Sequence, residues 1–229
     1  MRRRGLIVCF EGGEGCGKTT QAKRLYKELK KRNLPAVLLR EPGGTRLAEK
    51  IRRLILNFQD TPSEKGGERA KAHEVKLSPM EEFLLFSIAR AHLVRNAILP
   101  ALRHGRIVIL DRYFYSSYAY QGGGGGLDLG WMRCVTEKVV DDAYPHIVFY
   151  LDVPPEVGLK RKVRASSRKD RFQDKDLAFH KRVRKAFLSI AKEEAERFVI
   201  LDAQEPEGQV FCNVLAVVEK LLMEKGFSA

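Results

Sequence analysis

The residues whose types and spacing could carry chemistry begin at Gly12. The run Gly12, Gly13, Glu14, Gly15, Cys16, Gly17, Lys18, Thr19, Thr20 fits the pattern G-x-x-x-x-G-K-[ST]. Glycines at these points let the backbone curl so that its N–H groups face phosphate oxygens, and a helix starting there adds positive potential. Lys18 would then meet the terminal phosphates of a nucleotide and the Thr19 hydroxyl a Mg2+ ion, so ATP with Mg2+ is the expected pair. Asp111 ends an apolar run, where a carboxylate could hold the same ion directly or through water; the plainer alternative is an acid that caps the next turn. The stretch "RASSRKDRFQDKD" (164 to 176) brings Arg164, Arg168 and Arg171 close together. Such a loop could stabilise charge on a phosphoryl group in transit, or be no more than a charged linker.

These side chains need elements to position them. Apolar runs of strand length stand at 6 to 11, 36 to 41, 106 to 111, 147 to 153 and 198 to 203. They are short, continuous and rich in Val, Ile and Leu, which suits strands buried on both faces. Helix-length segments alternate with them, at 18 to 32, 46 to 56, 79 to 103, 155 to 165, 176 to 196 and 207 to 225. The expectation is an α/β fold with a parallel sheet of about five strands flanked by helices on both faces. Ser78, Pro79 and Glu81 mark one helix start: a capping Ser, Pro at the first helical position, and a Glu placed to reach back. The polar segment 57 to 77 reads as an exposed connection, and 164 to 176 as a mobile basic lid between two helical segments. The five glycines at 122 to 126 are expected to turn the backbone beside the site, with no clear helix after them.

A chain of 229 residues is long enough for one sizeable core, so a single domain is expected over 1 to 229. Hydrophobic residues at 44% and charged ones at 31% argue against a mostly disordered chain. No apolar stretch approaches a membrane span, and "MRRRG" leads directly into a strand-like run, so a cytoplasmic protein without a membrane partner is expected. Cys9, Cys16, Cys134 and Cys212 form no C-x-x-C pair, which disfavours a zinc site or a disulfide framework. The net charge of +13 would attract polyanions, nucleotides or anionic surfaces without choosing among them.

Beyond the phosphate loop, "REPGGT" (40 to 45), "LFSIAR" (85 to 90) and "DRYFYSSYAYQGGGGG" (111 to 126) follow in order. With "EGGEGCGKTT" they make the chain resemble the bacterial thymidylate kinases, P-loop nucleoside monophosphate kinases that move the γ-phosphoryl of ATP onto dTMP. The match covers most of 6 to 56, 79 to 128 and 147 to 172.

The resemblance implies roles. Phe86 and Arg90 are four apart on a helix and share a face. A phenyl ring can stack on a pyrimidine, and a guanidinium can donate to a keto oxygen but finds no acceptor at the amino group of cytosine. In the family the matching pair does this; the alternative is that Phe86 belongs to the core with Phe83 and Leu84. Ser117 and Gln121 match groups near thymine N3, and Tyr120 matches the tyrosine that crowds the sugar 2′ position. Tyr113 and Tyr118 are expected only to pack. Arg112 and Arg52 match arginines that grip the acceptor phosphate, Glu14 a carboxylate on the 3′-hydroxyl side, and Arg40, Glu41 and Pro42 residues that shape the acceptor pocket. Some members carry a catalytic arginine where this chain has Gly15, so the lid must supply it: Arg171 first, then Arg168 and Arg164. Gln173 stands where many relatives have an acid, and 57 to 77 exceeds the family's connection by roughly ten residues. A homodimer packed through helices is also implied.

Two rivals remain open at this point. One is a kinase for another pyrimidine monophosphate, dUMP or UMP, since uracil has the same keto group. The other is a non-catalytic P-loop protein that binds nucleic acid through its positive charge. In that case Glu14, Arg112 and the Phe86/Arg90 pair would be idle, and a single-strand groove favours aromatics interleaved with basic runs, so stable nucleic-acid binding is not expected.

Overall fold

The five apolar runs form the five strands of one parallel sheet: β1 (Leu6–Glu11), β2 (Ala36–Arg40), β3 (Ile107–Asp111), β4 (Ile147–Asp152) and β5 (Phe198–Asp202). The computed structural model describes residues 5–58, 76–165, 171–172 and 174–227. The strand order is β2-β3-β1-β4-β5. Every residue of the central strand β1 is buried, which is why its first five residues are apolar without alternation. The edge strand β5 leaves Ile200 half exposed.

Between the strands run α1 (Lys18–Lys31), α2 (Arg46–Asn57), α3 (Pro79–Leu93), α4 (Leu99–Arg103), α5 (Phe114–Ser117), α6 (Leu129–Val140), α7 (Pro155–Ala165) and α8 (Leu177–Glu193), and α9 (Glu207–Glu224) follows β5. The period-2 geometry of β1 divides the core. Leu6, Val8 and Phe10 pack with Leu25 of α1 and Val214 and Val218 of α9, while Ile7 and Cys9 join Phe83 and Leu93 of α3 and Phe187 of α8 on the other face. Each such buried side chain stabilises the fold by about 1.5–3 kcal/mol relative to exposure.

The expected start of α3 is present, with Ser78 Oγ accepting from Glu81 N at 3.3 Å and the Glu81 carboxylate accepting from Ser78 N at 2.7 Å. The single helix expected over 79 to 103 is instead interrupted by a π segment at Val94–Ile98. Pro100 has no N–H for the carbonyl four residues back, and its ring crowds that carbonyl; the chain widens just ahead of it, with Leu99 N bonding to Val94 O.

The glycine run is also different from expectation. Residues 118 to 124 continue α5 as a π segment (Tyr118–Gly124), and α6 follows, capped by Asp128 accepting from Trp131 N at 2.6 Å. The middle glycines serve packing: a Cβ on Gly123 would lie 2.3 Å from Ala186 Cβ, and one on Gly124 2.6 Å from the Phe179 ring, so α8 could not approach if either carried a side chain. The turn itself falls on Gly126, at φ +79°.

In the sheet, Phe10 and Arg40 both pair with Asp111. The carboxyl ends of β1, β2 and β3 are therefore level, and the loops that follow them open onto one crevice, as the geometry of an open parallel sheet requires.

Candidate active site

The phosphate loop occupies the crevice beside β1. Gly17 caps α1 at φ 93°, and Lys18 is buried, its Nζ donating to Gly12 O at 3.0 Å and Gly13 O at 2.6 Å. Thr19 Oγ1 donates to Asp111 Oδ2 at 2.6 Å. A hydroxyl and a carboxylate this close fit a hard divalent cation, which needs only one or two protein oxygens when phosphate and water complete its shell. Gly15 sits at φ +65°, and a Cβ there would lie 1.9 Å from the carbonyl oxygen of Gly158 on α7. The helix presses directly onto the loop, so an arginine at position 15 could not be accommodated unless α7 moved.

Arg112 follows Asp111 at φ 70°, a backbone conformation costing a non-glycine residue about 1–2 kcal/mol. Its contacts offset that strain. The backbone N donates to Phe10 O at 3.0 Å, Nη1 to Gly12 O and Ser116 Oγ at 3.0 Å each, and Nη2 to Glu14 Oε1 at 2.7 Å. Tyr120 OH donates to the same Glu14 oxygen at 2.8 Å. Burial alone would raise the Glu14 carboxyl, but Arg112, Lys18 and the Tyr120 hydroxyl outweigh it and hold the group down at about 2. Glu11, which the sequence did not single out, lies fully buried beneath this loop. It accepts from Tyr113 N at 2.8 Å, Ser116 N at 3.1 Å and Ser116 Oγ at 2.5 Å, and burial pushes its carboxyl up to about 7.

The other end of the crevice is built on α3. Phe86 both borders the cavity and belongs to the core cluster, its ring 6.1 Å from that of Phe172. Arg90 is completely buried. Its Nε donates to Glu41 Oε1 at 2.7 Å and its Nη2 to Ser117 Oγ at 2.8 Å, while Nη1 has no hydrogen-bond partner among the described residues. Burial pushes the Glu41 carboxyl up, and the facing Arg90 guanidinium opposes it. Gln121 is also buried, donating from Nε2 to Glu82 Oε2 at 2.8 Å, and its Oε1 has no partner among the described residues.

One cavity of about 770 Å3 joins the two ends, within the range of small-molecule sites. Its walls carry Glu14, Gly15, Gly17, Lys18, Thr19 and Thr20 from the loop, Arg40, Pro42 and Arg52 beside β2, and Phe86, Asp111, Arg112, Ser117, Tyr120 and Gln121. Arg52 donates to Pro42 O at 3.0 Å, and Arg40 is exposed and paired with Glu49. Arg90 stands behind Ser117 rather than on the wall. Tyr113, expected only to pack, is buried yet also borders the cavity; Tyr118 packs against Phe114.

Of the expected lid, Arg168 and the side chain of Arg164 lie outside the described residues, as does 59 to 75 of the polar connection. Arg171 is described, and it is engaged elsewhere: it forms an ion pair with Glu82 and does not border the cavity. Two cations that the sequence did not single out, Arg161 and Lys162 of α7, do border it. Their only signal was a basic run on a helix ahead of the lid, which equally suits a solvated face.

Comparison with known proteins bears on this arrangement. The family model described as "Thymidylate kinase" matches residues 10–214. A thymidylate kinase of Caldanaerobacter subterraneus subsp. tengcongensis is 40% identical over 96% of this chain and 97% of its own length. One of Deinococcus radiodurans is 40% identical over 94% and 97%. A crystal structure of thymidylate kinase from Ehrlichia chaffeensis superposes with a TM-score of 0.72 at 30% identity, covering 94% of this chain and 99% of that one. Likeness on this scale, over nearly the full length of both partners, spans the loop, the Asp111–Arg112 turn and the α3 wall together: the chain belongs to the thymidylate kinase family.

Proposed function

We propose that the protein transfers the γ-phosphoryl group of ATP to dTMP, giving ADP and dTDP. One observation carries the reading at the acceptor end: two buried side chains each leave one polar atom without a partner among the described residues, Gln121 on the cavity wall with Phe86, and Arg90 just behind Ser117. Arg90 Nη1 is a donor and Gln121 Oε1 an acceptor. Thymine offers the complement, a keto oxygen at C4 and an N–H at position 3, whereas cytosine presents an amino group and a bare nitrogen. A buried polar atom left unmatched costs about 1–3 kcal/mol, so such a site favours the base that completes it.

At the donor end Lys18 reaches the terminal phosphates of ATP, and Thr19 and Asp111 would hold Mg2+, which when bound neutralises charge on the β- and γ-oxygens. Arg112 and Arg52 grip the acceptor phosphate, the guanidinium fork holding a dianion in orientation. Glu14 fixes Arg112 and faces the sugar, and Tyr120 limits space at its 2′ position. Arg164, Arg168 and Arg171 of the lid, with Arg161 and Lys162 beside them, supply the charge that meets the moving phosphoryl; Arg171 must leave Glu82 to take part. Transfer then needs the two nucleotides held in line and water excluded, with little covalent help from the protein.

A homodimer is part of the same proposal. Met80, Leu84 and Ile88 repeat every four residues along the outer face of α3, and Leu47, Leu54 and Trp131 on α2 and α6 are exposed as well. No helix among the described residues is long and apolar enough to cross a membrane; a cytoplasmic location belongs to the same proposal. The test is ADP release from ATP with dTMP, dUMP, UMP, dCMP and dGMP in parallel, beside DNA retention at moderate salt. Turnover mainly with dTMP is expected; an enzyme indifferent to all five acceptors would overturn the reading.

A further inference from the structure

Glu82, Phe86 and Arg90 are spaced four apart on α3 and form one buried stripe of the helix, of which Phe86 borders the cavity. Phe86 and Arg90 have roles in the reading above; Glu82 has none. It is buried, and both of its oxygens are engaged. Oε1 accepts from Arg171, and Oε2 accepts from Gln121 Nε2 at 2.8 Å. Gln121 itself is 1% exposed, borders the cavity and leaves Oε1 without a hydrogen-bond partner among the described residues.

An amide can present either end to a ligand, and nothing in Gln121 alone decides which. A carboxylate held by a guanidinium can only accept, so it takes the NH2 end of the neighbouring amide and leaves the carbonyl end for the cavity. We infer that Glu82 is a positioning residue that sets the polarity of the Gln121 amide, so that its carbonyl oxygen meets the N–H at position 3 of the pyrimidine. The inference rests on the reading of the site as a dTMP pocket, and it makes Glu82 a determinant of base choice without touching the nucleotide. Turned the other way, the amide would offer N–H groups to a nitrogen that is bare in cytosine and protonated in thymine. The charge partner matters too: while the base binds, Arg171 on the far oxygen keeps the carboxylate from serving as a donor, before the arginine leaves for the moving phosphoryl.

The experiment measures kcat and KM for dTMP and dCMP in the wild type, Glu82→Ala, Glu82→Gln, Gln121→Ala and the double variant Glu82→Ala/Gln121→Ala. Loss of Glu82 frees the amide to rotate, so Glu82→Ala is expected to raise KM for dTMP about tenfold, the size of one buried hydrogen bond, and to lower the preference for dTMP over dCMP. Glu82→Gln keeps the volume, but its amide oxygen turns to Arg171 and its NH2 to Gln121. That reverses Gln121, and the preference should fall further than in Glu82→Ala. In the Gln121→Ala background Glu82→Ala should add nothing to the preference, because the residue it acts through is gone. A role limited to holding Arg171 would change turnover of both nucleotides alike. Unchanged preference in Glu82→Ala and Glu82→Gln, or full additivity with Gln121→Ala, overturns the inference. A wild type that does not phosphorylate dTMP overturns the underlying reading instead.

Discussion

Replacing Arg90 separates recognition from stability, because the residue carries both. Its side chain is 1% exposed and that of its partner Glu41 is 3% exposed. Arg90→Met therefore strands a carboxylate in the interior, and breaking a buried pair on one side typically costs about 3–5 kcal/mol. For a chain of this size that is a fall in melting temperature of about 6–20 °C. Arg90→Met/Glu41→Met removes both charges and fills the space with side chains of similar length, so stability should return to within about 1–2 kcal/mol of wild type. Recognition should not return. A charged hydrogen bond to the keto oxygen contributes about 1.5–3 kcal/mol, so kcat/KM for dTMP should stay about ten- to 150-fold down in both variants. Urea unfolding followed by fluorescence reads the first quantity and a coupled ADP assay the second. If the double variant regains dTMP turnover together with stability, Arg90 is a structural cation and the base-reading role is wrong.

Four further outcomes can be checked. The Glu11 carboxyl is raised from 4.5 to about 7, so the folded state binds more protons than the unfolded one between those values and stability falls as pH rises through that window. Glu11→Gln should remove the decline and add about 3 kcal/mol above pH 7 in denaturation curves. Glu14 shifts the opposite way, from 4.5 to about 2: its stabilisation is present above pH 4.5 and lost as pH falls toward 2, a slope that Glu14→Gln should flatten. At Gly158 a Cβ would lie 2.2 Å from Glu14 O, so Gly158→Ala should destabilise by about 1–3 kcal/mol and raise KM for ATP more than for dTMP in initial-rate assays. Ile88→Glu, on the exposed stripe of α3, should give a monomer by size-exclusion with light scattering while leaving the cavity residues in place.

The sheet was legible because its signal is local. All five runs became strands within one residue at either end of each, since double burial demands unbroken apolar sequence and little else produces it. The loop at Gly12 to Thr20 was legible for a similar reason: a strand, the glycines, Lys18 and the start of α1 are contiguous. What failed was long-range. The π segment before Pro100 depends on how one proline is absorbed by a helix already held in the core. The glycines at 122 to 126 looked like a turn because their partner, α8, lies more than fifty residues away. Arg161 and Lys162 were indistinguishable from surface cations until α7 was seen to press on the loop through Gly158.

Of the buried acids, Glu14 and Glu41 entered through the family resemblance and Glu11 and Glu82 not at all, and all four share one logic. Glu14 holds Arg112, Glu41 holds Arg90, Glu82 holds Gln121 and Arg171, and Glu11 accepts the N–H groups of the turn that carries Arg112. Sequence patterns reveal cations and aromatics because those types are the ones that meet a nucleotide. The acids do not meet it in the same way; the partners just named lie between 39 and 105 positions away in the chain. Yet an arginine on a flexible stem has many rotamers, and fixing it for a phosphate or a keto oxygen costs entropy unless a counter-charge has already ordered it. The cost of burying each carboxylate is thus spent in assembling the site before a ligand arrives. Removing one acid should therefore disturb KM and selectivity more than the chemical step, whichever of Glu14, Glu41 or Glu82 is chosen.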